Sequence, residues 1–247
     1  MLSVVVVTKN EEDRLGRCLS SVKDIASEII VVDSGSTDKT LDIAKSFNAR
    51  IYHRDWSNYG DQIDYAIKLA TKEWILVIDA DEALSDELRE SIKEEISNPK
   101  ADCYMLNRRV YYMGKFLNYT WYPEWRIRLF KRGKAYYERK VHGKAICKGK
   151  IGKLRGDLYH YSYRNFNEQV MKTVRFARQS ADLMYKNGQK FHFYNLLINP
   201  IAYFIKFFFL KKGFLDGTRG LIIALSGSMY AFLKYAYLYE KYLNEKK

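Results

Sequence analysis

The chain has 247 residues, which suffices for one large α/β domain or for one such domain with an appendage. Hydrophobic residues make up 47% of it and aromatic residues 15%, a composition that excludes an intrinsically disordered chain. Lys and Arg number 42 against 29 Asp and Glu, so the formal net charge is +13. Such a charge indicates an anionic partner, namely nucleic acid, a phosphorylated sugar or lipid, or an acidic membrane surface.

The three cysteines are far apart and form no CxxC motif (Cys18, Cys103 and Cys147). Their number and spacing predict neither a disulfide framework nor a zinc site, and they favour a reducing cytoplasm. The sequence begins with an apolar, strand-like run and lacks the basic and long apolar regions of a secretory signal, so we expect no such signal.

Short apolar runs alternate with amphipathic segments through the first hundred residues. The first predicted strand, Val4–Val7, precedes a predicted helix over 11–22 for which Asn10 would be the cap. Further strands are predicted at 28–33, 49–53 and 74–79, and further helices at about 41–47, 61–70 and, capped by Ser85, 88–96. This βα alternation predicts a parallel sheet covered by helices on both faces.

Polar residues follow three of these strands at the point where each ends: Thr8–Glu11, Asp33–Ser36 and Asp79–Glu82. The carboxyl ends of parallel strands meet at one crevice, where open α/β folds bind ligands. Two residues apart, Asp79 and Asp81 could share one hard cation such as magnesium or manganese, although a solvated acidic turn is the alternative. No GxGxxG follows the first strand and no GxxxxGK[ST] occurs, which disfavours a dinucleotide site and a P-loop.

Three blocks of this sequence, at 4–11, 30–38 and 76–82, together resemble glycosyltransferase family 2. The segment 121–133, followed by Val141-His142, is similar to the lipooligosaccharide core β-1,4-glucosyltransferase branch of that family. The resemblance implies a GT-A (Rossmann-like) α/β fold, with a mostly parallel sheet flanked by helices. A catalytic domain would occupy 1–162, with a nucleotide-binding part at about 1–100 and an acceptor part at about 101–162, and a helical region would follow at 163–247.

The resemblance also implies an inverting, metal-dependent transfer of a sugar, glucose, from a UDP-sugar to a lipid-linked or lipopolysaccharide-core saccharide. The donor would contact residues at the three strand ends and the helix before the last of them: Thr8, Lys9, Asn10, Glu11, Asp33, Ser34, Gln62, Asp79 and Ala80. Asp79, Asp81 and His160 would hold Mn²⁺ or Mg²⁺, and His142 is an alternative late ligand. For Glu11 and Gln62, a helix-stabilising or solvated position is the alternative.

For the general base the resemblance favours Glu124, which precedes an arginine-containing segment like the one that follows the family's catalytic acid. Glu138 is the rival, and an ion pair of Glu124 with Arg126 or Arg128 is the structural alternative. Relatives also carry an acid after Val-His, whereas Gly143 stands there in this chain, so that acid's role cannot be transferred.

The C-terminal third is apolar and aromatic. Asn165 predicts the cap of a helix that runs to about Lys186 and ends at Asn187-Gly188. Two apolar runs follow, between 193 and 243, and neither forms a clean span of ~20 apolar residues. They predict two helices, hinged at 213–220, that lie in the interface of an anionic membrane. The alternative is that these helices pack on the catalytic domain, or on a second subunit in a homo-oligomer.

Two other classes of function remain open at this point. A nucleotidyltransferase also uses paired acids on an α/β sheet, but it would need a glycine- and lysine-rich loop after the first strand. A nucleic-acid-binding module could use the aromatic and basic residues between 108 and 155. Since the acidic strand ends would repel a polyanion, we expect no nucleic-acid partner, and we expect a cytoplasmic protein peripheral to the inner face of the cell membrane.

Overall fold

The computed structural model describes residues 1–138 and 143–244. This part of the chain forms two compact units. The first comprises Met1–Val110 and Pro123–Tyr161, and the second comprises Tyr111–Tyr122 and the chain from Ser162 onward. The structure thus groups a short internal segment with the C-terminal helices, and the predicted domain division at 162/163 stays a prediction.

The described residues contain eleven strands and seven α-helices. The strands are β1 (Leu2–Thr8), β2 (Glu28–Asp33), β3 (Arg50–His53), β4 (Trp74–Asp79), β5 (Glu82–Leu84), β6 (Cys103–Tyr112), β7 (Lys115–Phe116), β8 (Glu124–Lys131), β9 (Ala135–Tyr137), β10 (Ala145–Cys147) and β11 (Ile151–His160). The helices are α1 (Leu15–Val22), α2 (Thr40–Ser46), α3 (Tyr59–Leu69), α4 (Asp86–Ser97), α5 (Phe166–Lys186), α6 (Asn195–Ile205) and α7 (Thr218–Asn244).

One large mixed sheet organises the first unit. Its strand order is β3-β2-β1-β4-β8-β6-β11-β5, with β7 paired to β6, and β9 and β10 form a separate hairpin. The first four strands are parallel. β8 is antiparallel to both β4 and β6, while β11 is parallel to β6 and antiparallel to β5. The predicted α/β fold class is therefore confirmed. The four parallel strands of the sheet are those that alternate with helices along the chain.

Two hydrophobic cores lie on the two faces of this sheet. Successive side chains of β1 point to opposite faces, so Val4 and Val6 belong to one core, whereas Val5 and Val7 belong to the other. Helices α1, α2 and α4 contribute to the first core, and α3 contributes to the second. Burial on both faces explains why the strands are continuous apolar runs rather than alternating ones.

The predicted helix caps are right at two positions and wrong at one. Ser85 Oγ accepts a hydrogen bond from Leu88 N, and Asn165 Oδ1 accepts one from Glu168 N, as expected of N-caps. Asn10 does not cap α1. It adopts a positive φ of 55°, its side chain accepts from Thr37 N, and α1 begins only at Leu15, so Asn10 instead ties the first strand end to the second.

The expectation of unpaired cysteines is wrong for two of the three. Cys103 on β6 and Cys147 on β10 form a disulfide, with their Cα atoms 6.3 Å apart, while Cys18 is a buried free thiol. The sequence separation of 44 residues concealed this pair, because Cys103 lies in the large sheet and Cys147 in the separate β9–β10 hairpin, which no local pattern brings together. In a reducing compartment the pair would be open to reduction.

The second unit is built mainly from α5, α6 and α7. A π-helical turn at Lys206–Leu210 and a 3₁₀ turn at Gly213–Asp216 connect α6 to α7. The two predicted apolar helices, α6 and α7, are present. The prediction that neither apolar run is long enough to span a membrane, at ~20 residues, is wrong for α7. By length and composition, α7 could cross a membrane, and among the described residues it is the one helix that meets this criterion.

A polar cluster around Glu28 stabilises the sheet edge opposite the three polar strand ends. The carboxylate accepts hydrogen bonds from Ser3 Oγ (2.6 Å) and Thr71 N (2.6 Å), and it pairs with Arg50 (2.9 Å). Burial by itself would raise the pKa of Glu28, but these hydrogen bonds outweigh it and lower the pKa from 4.5 to about 2.

Because this pKa is lower in the folded state, Glu28 stabilises the fold above pH 4.5, and that contribution disappears as the pH falls towards 2. We expect Glu28→Gln to lower the free energy of unfolding at neutral pH by about 1–3 kcal/mol. Urea unfolding at several pH values should show this difference vanishing near pH 2. The exposed Glu90→Gln variant is the control, and an equal effect of both variants at neutral pH would contradict the prediction.

Candidate active site

The three polar strand ends lie side by side, because β1 is paired with β2 on one side and β4 on the other. Thr8 is opposite Asp33, and Val7 is opposite Asp79. A cleft of about 260 Å³ opens there, lined by Val7, Thr8, Lys9, Glu11, Trp56, Tyr59, Asp79, Ala80, Asp81 and His160. The structure thus brings together seven of the predicted site residues, from the ends of β1, β4 and β11.

Asp33 and its neighbours form the turn beside the cleft rather than its lining. The Asp33 carboxylate accepts hydrogen bonds from Gly35 N (2.8 Å), Ser36 N (2.9 Å) and Ser36 Oγ (2.5 Å). Gly35 has φ +88°, a conformation that strains residues with a Cβ. Asp33 is 3% exposed, so its clearest contribution is to hold the turn that follows β2.

Gln62 is fully buried beneath the same turn. Its Nε2 donates to Ser34 Oγ (3.1 Å), Arg54 O (3.0 Å) and Asp55 O (2.9 Å). Its Oε1 has no hydrogen-bond partner among the described residues, and neither does Thr8 Oγ1. A buried polar atom left unpaired costs about 1–3 kcal/mol, so Thr8, which lines the cleft, offers an unused polar atom at a ligand-sized cavity.

Asp79 is held by a buried network. Its Oδ1 accepts from Tyr59 OH (2.7 Å) and its Oδ2 accepts from Arg128 Nη2 (2.6 Å). The same Arg128 donates to Tyr59 OH (2.8 Å) and to Glu82 Oε1 (3.0 Å), and Glu82 Oε2 accepts from Asp79 N (2.9 Å). Arg128 is 5% exposed and Glu82 1%, so the network is almost closed to water.

Burial and charge act in opposite directions on this network. Burial lowers the pKa of Arg128, but the carboxylates of Asp79 and Glu82 outweigh it, and the net pKa is raised well above its ordinary value. Burial raises the pKa of Glu82, and the neighbouring Arg128 only partly offsets that rise. Burial likewise raises the pKa of Tyr59, whose hydroxyl therefore stays protonated and donates to Asp79. Arg128 remains a cation at the centre of the network.

Asp81 and His160 form the second polar group of the cleft. His160 Nε2 lies 3.4 Å from Asp81 Oδ2, and Arg14 Nη1 lies 3.4 Å from the same oxygen. The antiparallel pairing of β11 with β5 puts His160 opposite Glu82, next to the Asp81 turn, and Tyr161 N donates to Asp81 O (2.8 Å). Pairing of two distant strands therefore produces this contact.

The described residues contain no cluster of three or more His, Cys, Asp or Glu side chains that could hold a metal ion. Two neighbouring ligands of one octahedral Mg²⁺ are about 3 Å apart, and Mg²⁺ commonly uses one or two carboxylates with phosphates and waters. The Asp81–His160 separation of 3.4 Å suits such a pair. Both oxygens of Asp79 accept hydrogen bonds, from Tyr59 and Arg128, and its predicted role as a metal ligand stays a prediction.

Glu124 lies at the start of β8 and does not line the cleft. Its Oε2 accepts from Arg108 Nε (2.7 Å), and its Oε1 accepts from Arg126 (2.5 Å). Burial raises the pKa of Glu124, but these two arginines outweigh it and lower the pKa, so the carboxylate is ionised at neutral pH. Arg108 Nη1 also lies 3.6 Å from Glu82, which connects Glu124 with the Asp79 network.

The rival candidates lie elsewhere. Glu138 follows β9 and its backbone N donates to Lys144 O (3.0 Å), and it does not line the cleft. His142 lies outside the described residues.

Three residues of the site were not anticipated from the sequence: Arg14, Trp56 and Tyr59. Arg128 was anticipated only as a partner of Glu124, yet it pairs with Asp79 and Glu82. The alternation along β8 is interrupted at Arg128, because the pairing with β6 shifts register between Ile127 and Leu129. The contacts of Arg128 depend on this irregularity and on strand order, so the sequence alone could not assign them.

Comparison of the sequence and fold with those of known proteins identifies the protein family. The family described as Glycosyl transferase family 2 matches residues 3–151, and the chain belongs to that family. The protein is accordingly a glycosyltransferase, and its sheet and flanking helices form a GT-A fold.

Individual relatives share nearly the whole chain. It is 32% identical to the lipopolysaccharide core biosynthesis glycosyltransferase LpsC of Rhizobium meliloti (strain 1021), over 98% of this chain and 93% of that protein. It is also 32% identical to an uncharacterized glycosyltransferase of Rickettsia typhi, over 99% of this chain and 89% of that one. Among solved structures, S. aureus TarS 1–349 in complex with UDP-GlcNAc has a similar fold, with a TM-score of 0.52 and 15% identity over 99% of this chain and 92% of that one.

Proposed function

We propose that this glycosyltransferase transfers glucose, with inversion, from UDP-glucose to a saccharide of a lipopolysaccharide core or another lipid-linked glycan. The observation that carries the proposal is the Asp81–His160 pair at the carboxyl end of β4, within a cleft that also exposes Thr8 and Lys9. The name of the LpsC relative supports the acceptor class, and the UDP-GlcNAc complex of TarS supports a uridine nucleotide.

In this proposal the cleft binds the donor. Thr8, Lys9 and Glu11 contact the nucleotide, and Thr8 Oγ1, which has no partner among the described residues, hydrogen-bonds to it. Asn10, Asp33, Ser34 and Gln62 hold the turns that follow β1 and β2, beside the cleft. Asp79 and Ala80 lie beside the sugar-nucleotide. Because Tyr59 and Arg128 hold the Asp79 carboxylate in one orientation, it can align the reacting carbon of the sugar.

We assign the ion site to Asp81 and His160, which have the oxygen and nitrogen donors that Mn²⁺ accepts and leave coordination positions for diphosphate oxygens. When bound there, the cation offsets the charge that develops on the departing diphosphate. Arg14, 5% exposed, lies 3.4 Å from Asp81 Oδ2 and orients that carboxylate towards His160.

Glu124 is our candidate for the general base. Its two arginine partners keep it ionised at neutral pH, which a proton acceptor requires. The Arg126 side chain is 39% exposed, so it can leave Glu124 for an anionic acceptor group and raise the basicity of the carboxylate at that moment. Glu138 remains the alternative base. We also propose that the enzyme works at the cytoplasmic face of the cell membrane.

Release of UDP, measured with and without Mn²⁺ and with a truncated lipopolysaccharide core as acceptor, tests the function. We expect UDP-glucose with Mn²⁺ to be consumed faster than other nucleotide sugars, and to raise the melting temperature of the protein. In the same assay Glu124→Gln should lower transfer by about 100-fold or more, whereas Glu138→Gln should have little effect. Equal transfer without added cation, after chelation, would contradict the ion site, and the reverse ranking of the two variants would identify Glu138 as the base.

A further inference from the structure

The second unit exposes apolar side chains on one side of α6. Leu197, Ile198, Ile201 and Ile205 are between 45% and 60% exposed, and at about 100° per residue they fall within an arc of about 100° on one side of the helix. The following turn continues the pattern, with Phe209 55% and Leu210 75% exposed. A soluble protein rarely leaves such a contiguous apolar surface uncovered.

Helix α7 carries a second, parallel line of exposed apolar residues. Leu221, Leu225 and Phe232 are 38%, 54% and 48% exposed, and their spacing of four and seven residues keeps them on one stripe. Ser228 Oγ donates to Pro200 O (2.9 Å), so α6 and α7 are packed against each other. We call the exposed apolar residues of α6, its following turn and α7 the apolar face.

The charges around the apolar face are almost entirely positive. Between 193 and 239 there are five basic residues and one acid, Asp216. The Asp216 carboxylate is occupied by the backbone N atoms of 118–120, at 2.9 to 3.2 Å. Lys206, Lys211 and Lys212 are exposed beside Phe209 and Leu210. In a lipid bilayer the anionic headgroups lie above the acyl chains, so an apolar surface bordered by cations is complementary to an anionic membrane surface.

The packing of α7 argues against a membrane-spanning arrangement. One side of α7 contacts α5 along its length, through Ser180 with Tyr230 (2.8 Å) and Asp182 with Lys241 (2.5 Å). Helix α5 carries many charged residues, and a spanning α7 would either take these into the hydrocarbon or lose its partner. An orientation in the membrane plane avoids both costs.

A second copy of the chain fits the apolar face less well than a bilayer does. A two-fold interface is self-complementary, so it would bring the lysines of one copy close to those of the other. We therefore propose that the apolar face, with Lys206, Lys211 and Lys212 at its border, binds the surface of an anionic lipid bilayer, with α6 and α7 in the interfacial plane. This proposal does not depend on the donor or acceptor assigned above.

Vesicle co-sedimentation of the full chain tests this surface. We expect the protein to sediment with vesicles of equal parts phosphatidylcholine and phosphatidylglycerol, and much less with phosphatidylcholine alone. Ile201→Glu combined with Leu210→Glu should abolish sedimentation. Lys206→Gln combined with Lys211→Gln should weaken binding by about 30-fold, as expected for two lysines at an anionic surface. Ile151→Glu, at an apolar position 48% exposed on β11, is the matched control and should bind like the wild type.

Circular dichroism and thermal melting of each variant separate lost binding from lost folding. The proposal is overturned if the wild type stays in the supernatant with anionic vesicles, or if the folded Ile201→Glu/Leu210→Glu variant sediments like the wild type. It is also overturned, in favour of a second copy, if the wild type is a dimer that ignores vesicles and becomes a monomer in that variant. Loss of vesicle binding with unchanged consumption of UDP-glucose would separate this surface from the proposed active site.

Discussion

Replacement of Asp81 by asparagine is expected to lower kcat for sugar transfer by about 100- to 1,000-fold, the range seen when one charge-stabilising group at a reacting centre is lost. In the proposed ion site, Asp81 and His160 would hold one divalent cation, and asparagine removes the anionic ligand without changing the size of the side chain. Steady-state kinetics at several Mn²⁺ concentrations, together with calorimetric titration of Mn²⁺ in the presence of UDP, would measure the effect.

The fold should survive this substitution, with the free energy of unfolding changed by less than about 1 kcal/mol, because Asp81 lies at the cleft surface and Arg14 keeps its contact with Glu11 (3.5 Å). Asp42→Asn, at a position where the side chain is 76% exposed, is the matched control and should behave as the wild type. An Asp81→Asn enzyme with unchanged kcat and unchanged Mn²⁺ affinity would refute the assignment of the ion site.

Replacement of Arg128 by methionine is expected to be the most destabilising single change in the site, lowering the free energy of unfolding by about 3–5 kcal/mol. Methionine retains most of the volume but leaves the carboxylates of Asp79 and of the fully buried Glu82 without their shared cation. Urea denaturation would give the free energy directly. Transfer should fall as well, because Asp79 loses one of the two donors that orient it.

Two further variants show whether charge is the cause. Arg126→Met removes another arginine of β8, but its side chain is 39% exposed, so the cost should stay below about 1 kcal/mol. Glu82→Gln in the Arg128→Met background should recover part of the lost stability, since it removes one unpaired buried charge. If Arg126→Met lowers the free energy of unfolding as much as Arg128→Met does, the burial of Arg128 is not the cause of its contribution to stability.

Local signals accounted for the elements of the parallel half and for the end of β4. The run Trp74–Asp79 is apolar throughout because β4 is buried on both faces, and the observed strand has the predicted bounds. Ser85 and Asn165 cap helices because a side chain oxygen there meets the free N–H groups of the first turn, which is a purely local interaction. Asn10 failed as a cap because a distant residue, Thr37, competes for its side chain.

The sequence by itself determined the family, the βα alternation and the position of acidic residues at the ends of parallel strands, because these follow from short-range patterns of burial and charge. Only the tertiary structure decided which charges meet. Arg128 reaches Asp79 because β8 is antiparallel to β4, and His160 reaches Asp81 because β11 is paired with β5. Such contacts join residues 49 and 79 positions apart, and no local pattern specifies the strand order that creates them.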